Sequence, residues 1–203
     1  MGATTHRPPV PAKSDRLEVT TVAGTGERSA DHGAHSSRSD GLPAAARYLM
    51  AGLRLALGWV FLWAFVDKLF GLGRATPAEG AWLSGGSPTE GFLANAPTGP
   101  FASTFNSIAG AAWADWIFML GLLGIGVALM LGIGMRIATV AGSIMLVLMW
   151  AAVLPPANNP FMDDHLIYAG VLFLLLALGA ADTFGFGRWW KSMAIVQRVP
   201  ILR

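Results

Sequence analysis

Beyond position 43 the chain is built of long apolar runs separated by short polar interruptions. The run lengths predict helices rather than strands. The first run extends from about Tyr48 to Phe70, YLMAGLRLALGWVFLWAFVDKLF. The second, Trp116 to Met135, is WIFMLGLLGIGVALMLGIGM and carries no charge. The third, Ile137 to Leu154, stops at Pro155-Pro156, and the fourth spans His165 to Ala181. A spanning helix takes about 20 predominantly apolar residues, and proline cannot continue a helix. In lipid each segment must satisfy its own backbone hydrogen bonds, which leaves helices as the form. The pattern therefore predicts an all-α, integral membrane four-helix bundle over residues 44–190, with a short cytoplasmic tail at 191–203.

Polar positions refine this picture. Residues 1–43 are rich in Ser, Thr, Gly, Ala and Pro, and hold five basic and five acidic side chains. They bury too little apolar surface to offset chain entropy and read as a disordered tail. No apolar run of the signal-peptide kind lies near the start. Basic residues in the rest of the chain fall unevenly. Arg47, Arg54, Arg136, Arg188, Lys191, Arg198 and Arg203 belong to one side, and only Lys68 and Arg74 to the other. By the positive-inside rule both termini face the cytoplasm of a multi-pass protein of the cell membrane.

The long connection between the first two runs, residues 71–115, then lies outside. Ser87-Pro88-Thr89-Glu90 reads as a helix start, with Ser87 as N-cap. Phe92, Leu93, Phe101, Phe105 and Ile108 give this loop apolar surfaces. Short helices lying on or dipping into the outer face are expected, either as a lid or as a plain cover. Gly124, Ala128 and Gly132 recur every fourth residue and predict a close-packed seam, as do Ala138 and Gly142 with Thr139 and Ser143. No inverted repeat or broken-helix pair suggests a transporter.

Composition sets exclusions. Hydrophobic residues make up 54% and charged residues 13%, against about 25% charged in ordinary soluble domains. Net charge is +2, with no basic face for nucleic acid. Cysteine is absent, which removes thiol catalysis, cysteine-ligated zinc and iron–sulfur clusters from this chain. Beyond the tail His165 is the one histidine, so bis-histidine haem is not expected either.

Charged groups within a bilayer cost about 2.5–3.5 kcal/mol on insertion scales and ask for a reason. Arg54 lies inside the first run, and Asp182 at the end of the fourth is its expected partner. Asp67 and Lys68 are consecutive and diverge by about 100° on a helix, so Asp67 turning inward leaves Lys68 to reach the surface. Asn158 to His165, NNPFMDDH, is the richest stretch. Asp163 or Asp164 serves as a helix cap on the simplest reading. Two carboxylates next to His165, gathered with Asp67 and Asp115, also suit a proton relay, making His165, Asp163, Asp164 and Asp67 the candidate catalytic residues. No recognisable metal-ligand spacing occurs. The eight tryptophans mostly mark membrane boundaries, whereas Trp63, Trp113, Trp116 and Trp150 fall near the polar cluster and suit an apolar slot for a flat ring.

The segment Arg54 to Gly71, RLALGWVFLWAFVDKLFG, with the long outer loop, the glycine-rich second run and NPFMDDHLIY, resembles the DoxX/DoxD family of small four-span membrane proteins. The likeness covers about residues 45–190 and includes the Asp67-Lys68 pair. Longer members are described as large subunits of thiosulfate:quinone oxidoreductase. The resemblance implies a quinone-linked oxidoreductase subunit acting on a small sulfur anion at the outer face, with membrane quinone as electron acceptor. Lys68 and Arg74 would then bind the anionic substrate and the four tryptophans the quinone. A partner subunit would supply an electron carrier. The alternative is a non-catalytic membrane anchor or assembly subunit of a redox complex.

Overall fold

The computed structural model describes residues 1–2 and 41–202, and the expectation of a disordered tail falls almost entirely outside the described residues. Among those residues every regular element is helical: α1 (Ala44–Phe70), α2 (Glu90–Asn95), α3 (Ala102–Asn106), α4 (Ala112–Leu131), α5 (Met135–Ala152), α6 (Asp164–Ala177), α7 (Gly187–Ser192) and α8 (Ala194–Arg198), with short 3-10 turns between them.

Three of these, α1, α4 and α5, are long and apolar enough to cross a membrane. The fourth expected span is not. Helix α6 has 14 residues, or about 21 Å at 1.5 Å per residue, against a hydrocarbon core of about 30 Å. Gly179 adopts φ +69° and breaks the run, so Ala180 and Ala181 enter a buried 3-10 turn instead of extending the helix. The second run is displaced for a related reason. Helix α4 starts at Ala112 and stops at Leu131 because Gly132 and Gly134, both left-handed, form the turn into α5.

Helix α1 packs on α4, α4 on α5, α5 on α6, and α6 returns to α1. Phe61, Met119, Leu122, Ile125, Leu146, Leu172 and Leu175 meet in the core. The α1–α4 contact is antiparallel: a Cβ on Gly58 would lie 3.0 Å from the Leu129 Cβ, and one on Gly126 2.9 Å from the Leu62 nitrogen. The small-residue seam on α4 is therefore centred on Gly126, one register away from the expected Gly124, Ala128 and Gly132 set. Gly124 is open, with nothing within 4 Å of its Cβ direction. The α5 seam is as read, since Ala138, Thr139, Gly142 and Ser143 are all buried.

Arg54 and Asp182 do not pair. The Arg54 guanidinium, fully buried, donates to the Leu129 and Met130 carbonyls and to those of Thr183 and Phe184. The last carbonyls of a helix have no intrahelical donors, and at the end of α4 Arg54 supplies them. The Phe186 N–H takes the Leu131 carbonyl, 2.8 Å away. Asp182 instead accepts Lys191 Nζ at 2.7 and 2.9 Å. One buried cation thus ties α1, the end of α4 and the segment after α6 together.

Candidate functional site

The C-terminal ends of α1 and α5 and the N-terminal ends of α4 and α6 share one end of the helix set, together with the loop over 71–111. Every sequence-predicted site residue lies toward this end, but the ionisable groups divide into three separate arrangements.

Asp67 is buried and faces its own loop. Its two oxygens accept the backbone N–H groups of Arg74, at 3.3 Å, and Ala75, at 3.0 Å. The carboxylate thereby fixes the chain just after the left-handed Gly71. Arg74 itself is exposed. Asp115, buried in the first turn of α4, accepts three bonds at one oxygen: Ser87 Oγ at 2.9 Å, the Thr89 N–H at 3.0 Å and Thr89 Oγ1 at 2.6 Å. Ser87 also accepts the Glu90 N–H at 3.1 Å, although α2 begins only at Glu90, with Thr89 as its N-cap residue.

The third arrangement opens α6. Asp163 is its N-cap, one oxygen accepting the Leu166 N–H at 3.3 Å. The other oxygen lies 2.7 Å from His165 Nδ1, and Asp164, largely exposed, is 3.5 Å from the same nitrogen. Ligand-type atoms of the three residues lie within 4.8 Å of one another. Both Asp163 oxygens are already engaged, one by the helix amide and one by the imidazole. The five groups read as one cluster do not meet in one hydrogen-bonded network.

The tryptophans also separate. Trp63 pairs with Trp59, ring centroids 5.8 Å apart, and Trp116 with Trp82 at 4.7 Å. Trp150 donates its indole N–H to the Phe161 carbonyl at 2.7 Å and meets the Phe161 ring edge-on. Trp113 lines an apolar cavity.

That cavity, of about 450 Å³, lies between α4, α5 and the loop helices. Its floor is Ala114, Phe118, Gly121 and Ile125 of α4 with Ala141, Met145 and Met149 of α5. Its roof is Pro88, Thr89, Phe92, Leu93, Phe105 and Ile108, and Lys68 enters from α1. Trp113, Ile117, Ile144 and Leu148 complete the wall while being exposed on the outward faces of α4 and α5. Asp115 thus holds the roof through Thr89. Small-molecule sites are concave, mostly apolar and about 300–1,000 Å³, and the cavity falls within that range. Lys68 Nζ, the charged group among the lining residues, lies 5.9 Å from the Phe118 ring centroid.

Phe118, Gly121, Ile144 and Met145 were not singled out in the sequence, and no local signal distinguishes them. An apolar residue facing a cavity and one facing lipid look alike in the hydropathy pattern. Phe92, Leu93, Phe105 and Ile108 were legible because apolar residues are unusual in a loop. In comparisons with known proteins, no family model, no curated protein and no solved structure matches this chain.

Proposed function

We propose that this chain is a multi-pass membrane protein of the DoxX/DoxD kind, with both termini cytoplasmic. Its four apolar helices are embedded as a bundle in the cell membrane, with α6 and the buried 3-10 turn that follows it crossing together as the fourth span. It binds the ring of a membrane quinone in the cavity beneath the loop helices, as a quinone-linked subunit of an oxidoreductase that oxidises thiosulfate or a similar sulfur anion. The observation that carries the reading is the cavity: apolar, of ligand size, roofed by a structured loop, and with its rim on the outward faces of two helices long enough to span a bilayer.

Such a site suits a lipid-soluble ring. Apolar walls exclude water, Trp113 and Phe118 offer faces for stacking, and Asp115 keeps the roof in place. Reduction of a quinone takes two electrons and two protons. His165 and Asp163, at the same end of the helix set, are the groups proposed to handle protons there. With no cysteine in the chain, the electron carrier between sulfur and quinone is assigned to a partner subunit.

The test is quinone binding and turnover by the full chain in nanodiscs, using a short-tailed benzoquinone. Saturable binding is expected, and quinol formation with thiosulfate once the native membrane partner is present. Gly121→Leu, which fills the cavity, should abolish binding while leaving the helix content intact. Equal binding by that variant would remove the cavity from consideration.

A second reading has its own support. Asp67, Asp115 and Asp163 are each held by amides, hydroxyls or the neighbouring imidazole of this chain, as acids that build a scaffold are. On that reading the protein anchors or assembles a redox complex, crosslinking recovers a stable partner, and His165→Ala leaves sulfur oxidation by cells unchanged.

A further inference from the structure

Lys68 differs from the other charged groups at this end of the molecule. Asp67, its neighbour, turns to the amides of Arg74 and Ala75, and the helical offset between consecutive residues carries Lys68 to another face. There it lines the cavity, half-buried, with the Phe118 ring beside it. A ring face attracts an ammonium, but it does not satisfy three N–H donors. Among the described residues none accepts a hydrogen bond from Lys68. Its Nζ is not among the buried unpartnered polar atoms and keeps access to solvent, so a molecule that displaces water there must offer an oxygen in its place.

The exposed lining residues define the rest of the ligand. Ile117 of α4 and Ile144 and Leu148 of α5 line the cavity, yet are 65%, 57% and 52% exposed. Its mouth therefore lies between two spanning helices and faces lipid rather than the aqueous loop. A chamber of about 450 Å³ holds a ring and the start of a chain, and a longer tail must leave through that mouth.

We infer that Lys68 is the residue that recognises the ligand's head, donating to a quinone carbonyl oxygen, while the tail passes between α4 and α5 into the bilayer. This rests on the quinone reading above and adds the orientation and a specificity-determining residue. The orientation separates a carbonyl-headed amphiphile from an apolar one of equal size, because only the first completes the Lys68 donor.

The experiment uses the full chain in nanodiscs of neutral lipid, with two photoreactive short-tailed benzoquinones, one labelled on the ring and one at the tail end. In wild type the ring label should attach to residues around Phe118 and Phe92, and the tail label to peptides containing Ile144 or Leu148. Lys68→Met, which keeps helix propensity and apolar bulk, should weaken binding about tenfold or more, and Lys68→Arg by less than about threefold. An alkylbenzene of matched size should bind both wild type and Lys68→Met with the same affinity. No saturable labelling of wild type would sink the quinone reading itself. Saturable labelling with unchanged affinity in Lys68→Met would overturn only the head-group assignment and return the ammonium to the lipid interface. Tail labelling confined to residues 72–86 would overturn the lateral exit.

Discussion

Thr89 Oγ1 donates to Asp115 Oδ1 across 2.6 Å, joining the loop that roofs the cavity to the first turn of α4. The same oxygen takes the Thr89 N–H and the Ser87 hydroxyl. Asp115→Ala leaves a buried amide and two hydroxyls without their acceptor. A buried unsatisfied donor costs about 1–3 kcal/mol, so the variant should lose stability on that scale. The loss should be local. Hydrogen exchange across residues 87–96 should accelerate strongly, while α5 and α6 keep wild-type protection. Uniform acceleration throughout the protein would show that Asp115 supports the helix set rather than its roof.

Arg54 makes a contrasting prediction, because its bonds join distant parts of the chain. Arg54→Met strands the carbonyls of Leu129, Met130, Thr183 and Phe184. With bonds to charged groups worth about 1.5–3 kcal/mol each, a loss of at least about 3 kcal/mol is expected in a detergent or urea unfolding series. Lysine has a single charged nitrogen and no planar fork, so Arg54→Lys should recover less than half of it. Full recovery by lysine would mean that charge, not the fork, matters here.

These two residues also mark what the sequence made legible. The spans of α1, α4 and α5 were readable because long, predominantly apolar runs leave a strong local signal. A cap of α6 at Asp163 or Asp164 was readable for the same local reason, and the structure gives it to Asp163. The partners of Asp115, 26 and 28 residues away, and those of Arg54, 75 or more residues away, were not. They depend on how α1 and α4 cross and on where the loop returns. Arg54 was assigned to Asp182 because opposite charges are what a sequence displays, whereas carbonyls at a helix end are invisible in it. An apolar slot was expected beside the tryptophans, of which Trp113 lines the cavity; its floor escaped notice because it shares the composition of a lipid-facing surface.

The register of the α1–α4 seam is open to direct measurement. A side chain on Gly126 meets the Leu62 backbone, whereas one on Gly124 meets nothing within 4 Å. Gly126→Leu should therefore push the helices apart and cost about 1–3 kcal/mol, as overpacked cores do. Gly124→Ala should be neutral or stabilising by up to about 1 kcal/mol, from helix propensity. Equal effects at both positions, read by thermal unfolding of the purified protein, would contradict the packing described here.

The paired aspartates at the start of α6 give the last prediction. They are adjacent and chemically identical, but only Asp163 accepts the Leu166 N–H and lies 2.7 Å from the His165 ring. Its side chain is 12% exposed against 66% for Asp164. Loss of an N-cap carboxylate costs about 0.5–2 kcal/mol, so Asp163→Ala should lower stability within that range and release the imidazole from its fixed orientation. Asp164→Ala removes a solvated charge near the positive end of the helix dipole, worth about 0.3–1 kcal/mol at most. The NMR signals of His165 should broaden or shift in the first variant and hold in the second. The reverse order of effects would place the cap one residue later and detach His165 from Asp163.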